Sequence, residues 1–287
     1  MAEPDRTAAA PRSVGVVGAG VIGTSVAHAV AAAGLRVVLV DSDQAALDTA
    51  RAGVRRHQRL GRLKGGPQIA LDLRFTGDLR ELSDVDFVVE NITESEQAKS
   101  ALYEELDRVL RPDVPIAANT SAIPIALLAA PLADPSRVVG AHFMNPVALI
   151  DTVEVVRSPK TSDAALGALT ALLTRMGKQW ITVNDAAGFV INRVLMVVAN
   201  LAAALVAEGV ATPAQVDGLF RGCLGHRTGP LRTADLIGLD TVVRTLDVLH
   251  DHYGTAEYVA HPALRQRIAQ GDLGQKSGSG FFTYDRS

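Results

Sequence analysis

The stretch "SVGVVGAGVIGTSVAHAVAAAGLRVVLVD", residues 13–41, restricts the possible folds of this chain more than any other. A β-branched run leads into a glycine turn, then an alanine-rich helical pattern stopping at Gly34, then a second β-branched run ending at Asp41. That is strand, turn, helix, strand. Glycines spaced GxGxxG are a weak signal alone, but between a strand and a helix they form a dinucleotide-binding turn. Gly18 permits the tight turn, Gly20 lets a pyrophosphate approach the backbone, and Gly23 lets helix and sheet pack closely. Val21 and Ile22 complete the turn, whose helix N-terminus faces the phosphates. Asp41 stands where an acid binds the adenosine ribose hydroxyls, and its charge repels a 2′-phosphate. Ser42 follows it rather than an arginine, which favours NAD over NADP. A flavin site or a disused turn is the competing reading.

A chain of 287 residues, 48% of them hydrophobic, suits two domains. The formal charge of −3 gives no support to nucleic-acid binding through a basic surface. Cys223 is the single cysteine, so no internal disulfide can form and a reducing cytoplasm is expected. Residues 1–12 have no apolar core of signal-peptide length and read as a disordered tail. The most apolar run, 194–207, is short for a membrane span and contains Asn200, so it reads as a buried helix. The expected layout is a doubly wound α/β Rossmann-type domain over 13–185 and an all-α domain over 186–287 for substrate and dimerisation. The active-site cleft is expected between them.

Further strands are expected at "DVDFVVEN" (84–91) and "PIAANTS" (115–121), whose C-terminal ends face the ligand side of such a sheet. The basic segment 50–66 reads as a solvated helix closed by Gly65, Gly66 and Pro67, and His28 as a surface or packed histidine. In "GAHFMNPVALIDTVEVV", residues 140–156, two strands flank a turn. Glu154 points away from the face shared by Val153 and Val155, so neighbouring strands can set it beside His142. A carboxylate orients an imidazole and stabilises the imidazolium, as oxidation of an alcohol requires when a base takes the hydroxyl proton. A structural histidine in a hydrogen-bonded hairpin is the alternative.

In the second half, "VNDAAGFVINRVLMVVANLAAALVAEGVA" reads as a long helix capped by Asn184 or Asp185, packed on partners that include a second subunit. Thr212 and Pro213 mark another helix start. "DLIGLDTVVRTLDVLHDHYG" reads as one helix. His250 and His252 do not share a face of it, and no metal site is expected.

The ordered motifs "GAGVIG", "VVENITESEQAK", "ANTSA", "GAHFMNPV", "TVEVV", "GKQWITVNDAAGFVINR", "TGPLRTADLIGLD" and "LGQKSGSGFFTY" make the chain resemble the 3-hydroxyacyl-CoA dehydrogenase family, particularly its short bacterial members, from about residue 13 to 284. The resemblance implies that His142 and Glu154 are the catalytic pair and that Ser121 and Asn192 complete the site. It places Glu94 and Lys99 near the nicotinamide ribose, with Asn119 also on the cofactor side and Asn145 on the substrate side. It implies NAD as cofactor, an acyl thioester as substrate and a homodimer.

The chain also departs from that family. Asp151 stands where a lysine is usual, Thr228 replaces a methionine and Arg232 an acid. The stretch from Lys64 to Phe75 is shorter, and His57 replaces a serine that binds coenzyme A in some members, although Lys64 matches a coenzyme-A-contacting lysine. These changes, with Arg227 and Arg232 near the acyl group, favour a subset that oxidises glyceryl groups on an acyl carrier protein for polyketide extender units. Ordinary 3-hydroxybutyryl-CoA oxidation is the alternative. Two other classes are a catalytically silent structural relative, against which the His142–Glu154 pair argues, and a lysine-dependent β-hydroxyacid dehydrogenase, which would need a lysine where Asn192 stands.

Overall fold

The computed structural model describes residues 10–63 and 70–285. Lys64, Gly65, Gly66 and Pro67 lie outside the described residues, as do residues 1–9 of the expected tail. The end of that tail is corrected. Pro11 is buried, and the Arg12 amide donates to the Asp86 carboxylate, so these residues belong to the folded chain. The chain divides into two compact units, Met1–Ala186 and Ala187–Ser287.

The first unit is built on an eight-stranded sheet. Its strands are β1 (Ser13–Val17), β2 (Arg36–Val40), β3 (Leu73–Thr76), β4 (Phe87–Glu90), β5 (Ile116–Ala118), β6 (Val138–His142), β7 (Thr152–Arg157) and β8 (Gln179–Asn184). They lie in the order β3-β2-β1-β4-β5-β6-β7-β8, all pairs parallel except β6 with β7. The central strands are buried along their length, which explains their continuous Val, Ile and Ala runs. Helices α1 (Val21–Ala32), α2 (Gln44–Leu63), α3 (Glu96–Val109), α4 (Ile125–Ala129) and α5 (Asp163–Arg175) complete the unit. Val26 and Val30 of α1 and Leu169 and Leu172 of α5 join Val14, Val16, Leu39 and Val89 of the sheet in one core.

The flanking strands β3 and β8 were not legible as strands. Each is only half buried, so neither carries the apolar run that marks the sheet's centre.

The second unit contains α6 (Ile191–Ala207), α7 (Pro213–Leu224), α8 (Pro230–Ile237), α9 (Leu239–Tyr253) and α10 (Pro262–Ala269). Met196, Ala199 and Ala203 of α6 pack with Leu231, Leu239, Leu246 and Leu264. Asn200 interrupts the apolar run for a reason: its side chain donates to the Val259 carbonyl and accepts from the His261 amide. No helix among the described residues is long and apolar enough to cross a membrane.

Two expectations about helices are corrected. The helix after Asp185 begins only at Ile191. Asn184 ends β8, and the Asp185 carboxylate accepts from the Ile125 and Ala126 amides, capping α4 instead. The segment 235–254 is not one helix, because Gly238, at φ +99°, separates α8 from α9. In the single chain Val194 and Leu201 of α6 are exposed. The Thr212 expectation holds, since its side chain caps α7 in a box closed by Gln215. The C-terminal glycines fit closely under a carboxylate. Asp235 accepts from the Phe281 and Phe282 amides and the Tyr284 hydroxyl, and a Cβ at Gly280 would collide with it.

Candidate active site

His142 ends β6, and the antiparallel register sets it directly opposite Glu154 on β7. Both side chains are buried, and His142 Nδ1 lies 2.9 Å from Glu154 Oε2. With Nδ1–H donated to the carboxylate, proton exchange falls to Nε2. The carboxylate holds the ring and balances the charge that the imidazole acquires on taking a proton.

The glycine turn lies between β1 and α1. Gly18 adopts φ +101°, and a Cβ there would sit 2.6 Å from the Asn91 carbonyl oxygen. A Cβ at Gly23 would meet the Gly18 carbonyl, so α1 packs as close as a glycine allows. At Gly20 the opposite holds: nothing lies within 4 Å of a built Cβ, and Val21 beside it is exposed. Ile22 is partly buried against the core. The open face over Gly20, at a helix N-terminus, fits a pyrophosphate. Asp41, beyond the end of β2, receives the Ala19 amide at 2.7 Å and the Asp43 amide at 2.9 Å, which ties the acid to the turn.

A second cluster lies at the ends of β4 and β5. Glu94 Oε1 receives the Thr120 hydroxyl at 2.6 Å and the Ser121 and Ala122 amides at 2.8 and 2.9 Å. The position of Ser121 is thus set by this acid. The Thr120 hydroxyl receives the Ile123 amide, and Pro124 precedes α4. Asn119 bridges strand ends, accepting from the Phe143 amide and donating to Asn91. The Lys99 side chain has no exposed surface. Its ammonium donates to Glu90 Oε1 at 2.6 Å and to the Asn119 carbonyl at 3.1 Å, with Glu94 Oε2 at 3.8 Å. Burial raises the Glu90 carboxyl above the usual range against the pull of Lys99.

Asn145 is exposed in the connection between β6 and β7. Asn192 is buried in the first turn of α6, in the second unit. Arg227 is exposed; the Arg232 guanidinium stacks over the Phe282 ring at 4.5 Å. Lys64 lies outside the described residues, and the His57 side chain is likewise undescribed. Among the described residues no group of acids, histidines and cysteine could hold a metal ion. The strand reading at 84–91 puts Glu90 on the cofactor side, but sequence reasoning gave it no partner and missed Tyr103 and Lys178. Lys178 is buried and donates to the Val147 and Ile150 carbonyls, bracing the connection that carries Asn145. Burial lowers its ammonium below the usual lysine range, opposed by Asp151. Glu90 alone carries a signal in the sequence, as an acid closing an apolar strand; Tyr103 lies on an amphipathic helix and Lys178 just after a turn, where nothing marks them.

Residues 13–186 match the family model described as 3-hydroxyacyl-CoA dehydrogenase, NAD binding domain, and residues 188–284 match that family's C-terminal domain. The chain is 40% identical over 276 residues to a probable 3-hydroxybutyryl-CoA dehydrogenase of Deinococcus radiodurans, covering 94% of this chain and 99% of that one. It is 39% identical over 279 residues to a 3-hydroxybutyryl-CoA dehydrogenase of Mycobacterium tuberculosis, covering 94% and 98%. The crystal structure of (S)-3-hydroxybutyryl-CoA dehydrogenase from Ralstonia eutropha superposes with a TM-score of 0.90 at 34% identity, covering 96% of this chain and all of that one. With a glycine turn that fits NAD and a histidine–glutamate pair suited to alcohol oxidation, the chain belongs to the 3-hydroxyacyl-CoA dehydrogenase family and is an NAD-dependent oxidoreductase acting on CH–OH.

Proposed function

We propose that the chain oxidises the 3-hydroxyl of a short 3-hydroxyacyl-CoA of the 3-hydroxybutyryl class. The observation that carries this reading is the buried His142–Glu154 pair at 2.9 Å. When bound, NAD supplies the hydride acceptor. His142 Nε2 takes the hydroxyl proton, Glu154 holds the ring and stabilises the imidazolium, and Ser121 hydrogen-bonds the substrate oxygen. Gly18, Gly20, Val21, Ile22 and Gly23 seat the pyrophosphate, Asp41 takes the adenosine ribose, and Glu94 takes the nicotinamide ribose. Asn145 and Asn192 are assigned to the acyl side.

Coenzyme A is favoured over a carrier protein because the relatives that match along nearly their whole length are named as acting on coenzyme A thioesters. This reverses the preference drawn from Asp151, Thr228 and Arg232. The glyceryl-carrier-protein reading is second, supported by exposed Asp151 and Arg227, which alter the charge met by an anionic carrier. The structure also engages Arg232 with Phe282, which weakens its assignment to an acyl group. The test compares kcat/KM, followed by NADH absorbance, for 3-hydroxybutyryl-CoA and a glyceryl carrier protein at low and high salt. Higher efficiency with coenzyme A is expected. A preference for the carrier protein that weakens as salt rises would reverse the order of the two readings.

A further inference from the structure

Glu90, Lys99 and Tyr103 form a polar cluster with no exposed side-chain surface, beneath the strand ends that carry Glu94, Asn119 and Ser121. Lys99 and Tyr103 are one helical turn apart on α3, so both reach Glu90 at the end of β4. Lys99 donates to Glu90 Oε1 at 2.6 Å, and the same oxygen receives the Ile92 amide at 2.7 Å. The Tyr103 hydroxyl donates weakly to the other oxygen at 3.4 Å. A buried ammonium needs a carboxylate, and two are within reach. Glu90 is the near one; Glu94 is 3.8 Å away and uses its other oxygen to hold the Thr120, Ser121 and Ala122 donors.

We propose that Glu90, with Tyr103 behind it, is a positioning residue for the nicotinamide half of the cofactor site: by holding the Lys99 ammonium, it keeps Glu94 turned toward the Ser121 turn and the cofactor. The inference rests on the proposed placing of the nicotinamide ribose at Glu94. Without the Glu90 charge, Lys99 has Glu94 as its nearest carboxylate and draws it inward, away from the ribose. Tyr103 matters because it anchors the Glu90 oxygen that Lys99 does not use. The adenosine half is served by Gly20, which faces open space, and by Asp41, which bonds the Ala19 and Asp43 amides; of the glycine turn, it is Gly18 that adjoins Asn91 and Ile92.

The test is equilibrium binding of NADH and of ADP to the full chain, with no acyl substrate present, so that it is independent of which thioester the enzyme oxidises. ADP lacks the nicotinamide ribose and reports the adenosine half alone. Glu90→Gln should raise the NADH Kd by about ten- to a hundredfold, the worth of a hydrogen bond to a charged group, while the ADP Kd stays within about twofold. Tyr103→Phe should raise the NADH Kd by about threefold, again sparing ADP. Glu90→Gln combined with Lys99→Met, which leaves no unpaired buried charge, should recover most of the thermal stability lost in Glu90→Gln. Unchanged NADH affinity, or equal weakening of NADH and ADP, overturns the proposal. So do additive stability losses in the double variant. If Glu90→Gln does not fold, Tyr103→Phe decides: unchanged NADH affinity there overturns it. Wild-type NADH binding without turnover of any hydroxyacyl thioester would instead count against the proposed function.

Discussion

His142 and Glu154 are direct cross-strand partners in the one antiparallel pair of the sheet, joined at 2.9 Å through Nδ1 and Oε2. Two adjacent strands thus hold the proposed base and its proposed orienting acid in register. His142→Gln should cut kcat by about two to four orders of magnitude with the KM for NAD unchanged. Glu154→Gln should cost about two orders or more, because the ring loses the acceptor that sets its tautomer. Steady-state kinetics with 3-hydroxybutyryl-CoA decides both; unchanged turnover in His142→Gln removes that residue from the mechanism.

Asp41 accepts the Ala19 amide of the glycine turn, and its proposed second task is to repel a 2′-phosphate. The parent enzyme should prefer NAD. Asp41→Ala with Ser42→Arg should relax that preference and, by freeing the turn, also weaken NAD binding. Initial rates with NAD and NADP give the ratio, and a parent enzyme equally active with both would contradict this role for Asp41.

Asp185, one residue before the end of the first unit, acts on α4, receiving the Ile125 and Ala126 amides at 2.9 and 2.8 Å. Asp185→Ala should destabilise the protein by about 0.5–2 kcal/mol, the usual cost of losing a side-chain cap. Urea unfolding measures it. A stability equal to that of the parent would mean that water replaces the cap at no cost.

The second unit exposes Val194 and Leu201 on α6 and Leu219 and Leu224 on α7, apolar side chains left uncovered in the single chain. A homodimer that covers them is expected. Light scattering should give the mass of two chains, and Leu201→Glu should shift the population toward one. A monomeric parent protein would end this reading.

The sequence by itself determined the features that depend on near neighbours. The Gly18–Gly23 turn, Asp41 after the second strand, the Thr212 cap and the facing of Glu154 away from Val153 and Val155 all follow from backbone sterics and strand alternation, which operate over a few residues. The packed fold alone decided where distant polar groups go. Asp185 caps α4, some sixty residues earlier in the chain, rather than the helix that follows it. Lys99 is enclosed with Glu90 and Tyr103, although α3 is an amphipathic helix with many exposed charged residues. Arg232 stacks on a ring fifty residues away. Strands β3 and β8 emerge only when they pair with neighbours, because a half-buried flanking strand carries little apolar pattern of its own. Burial of a charge is favourable only where a partner waits, and which partner waits is set by how the elements pack.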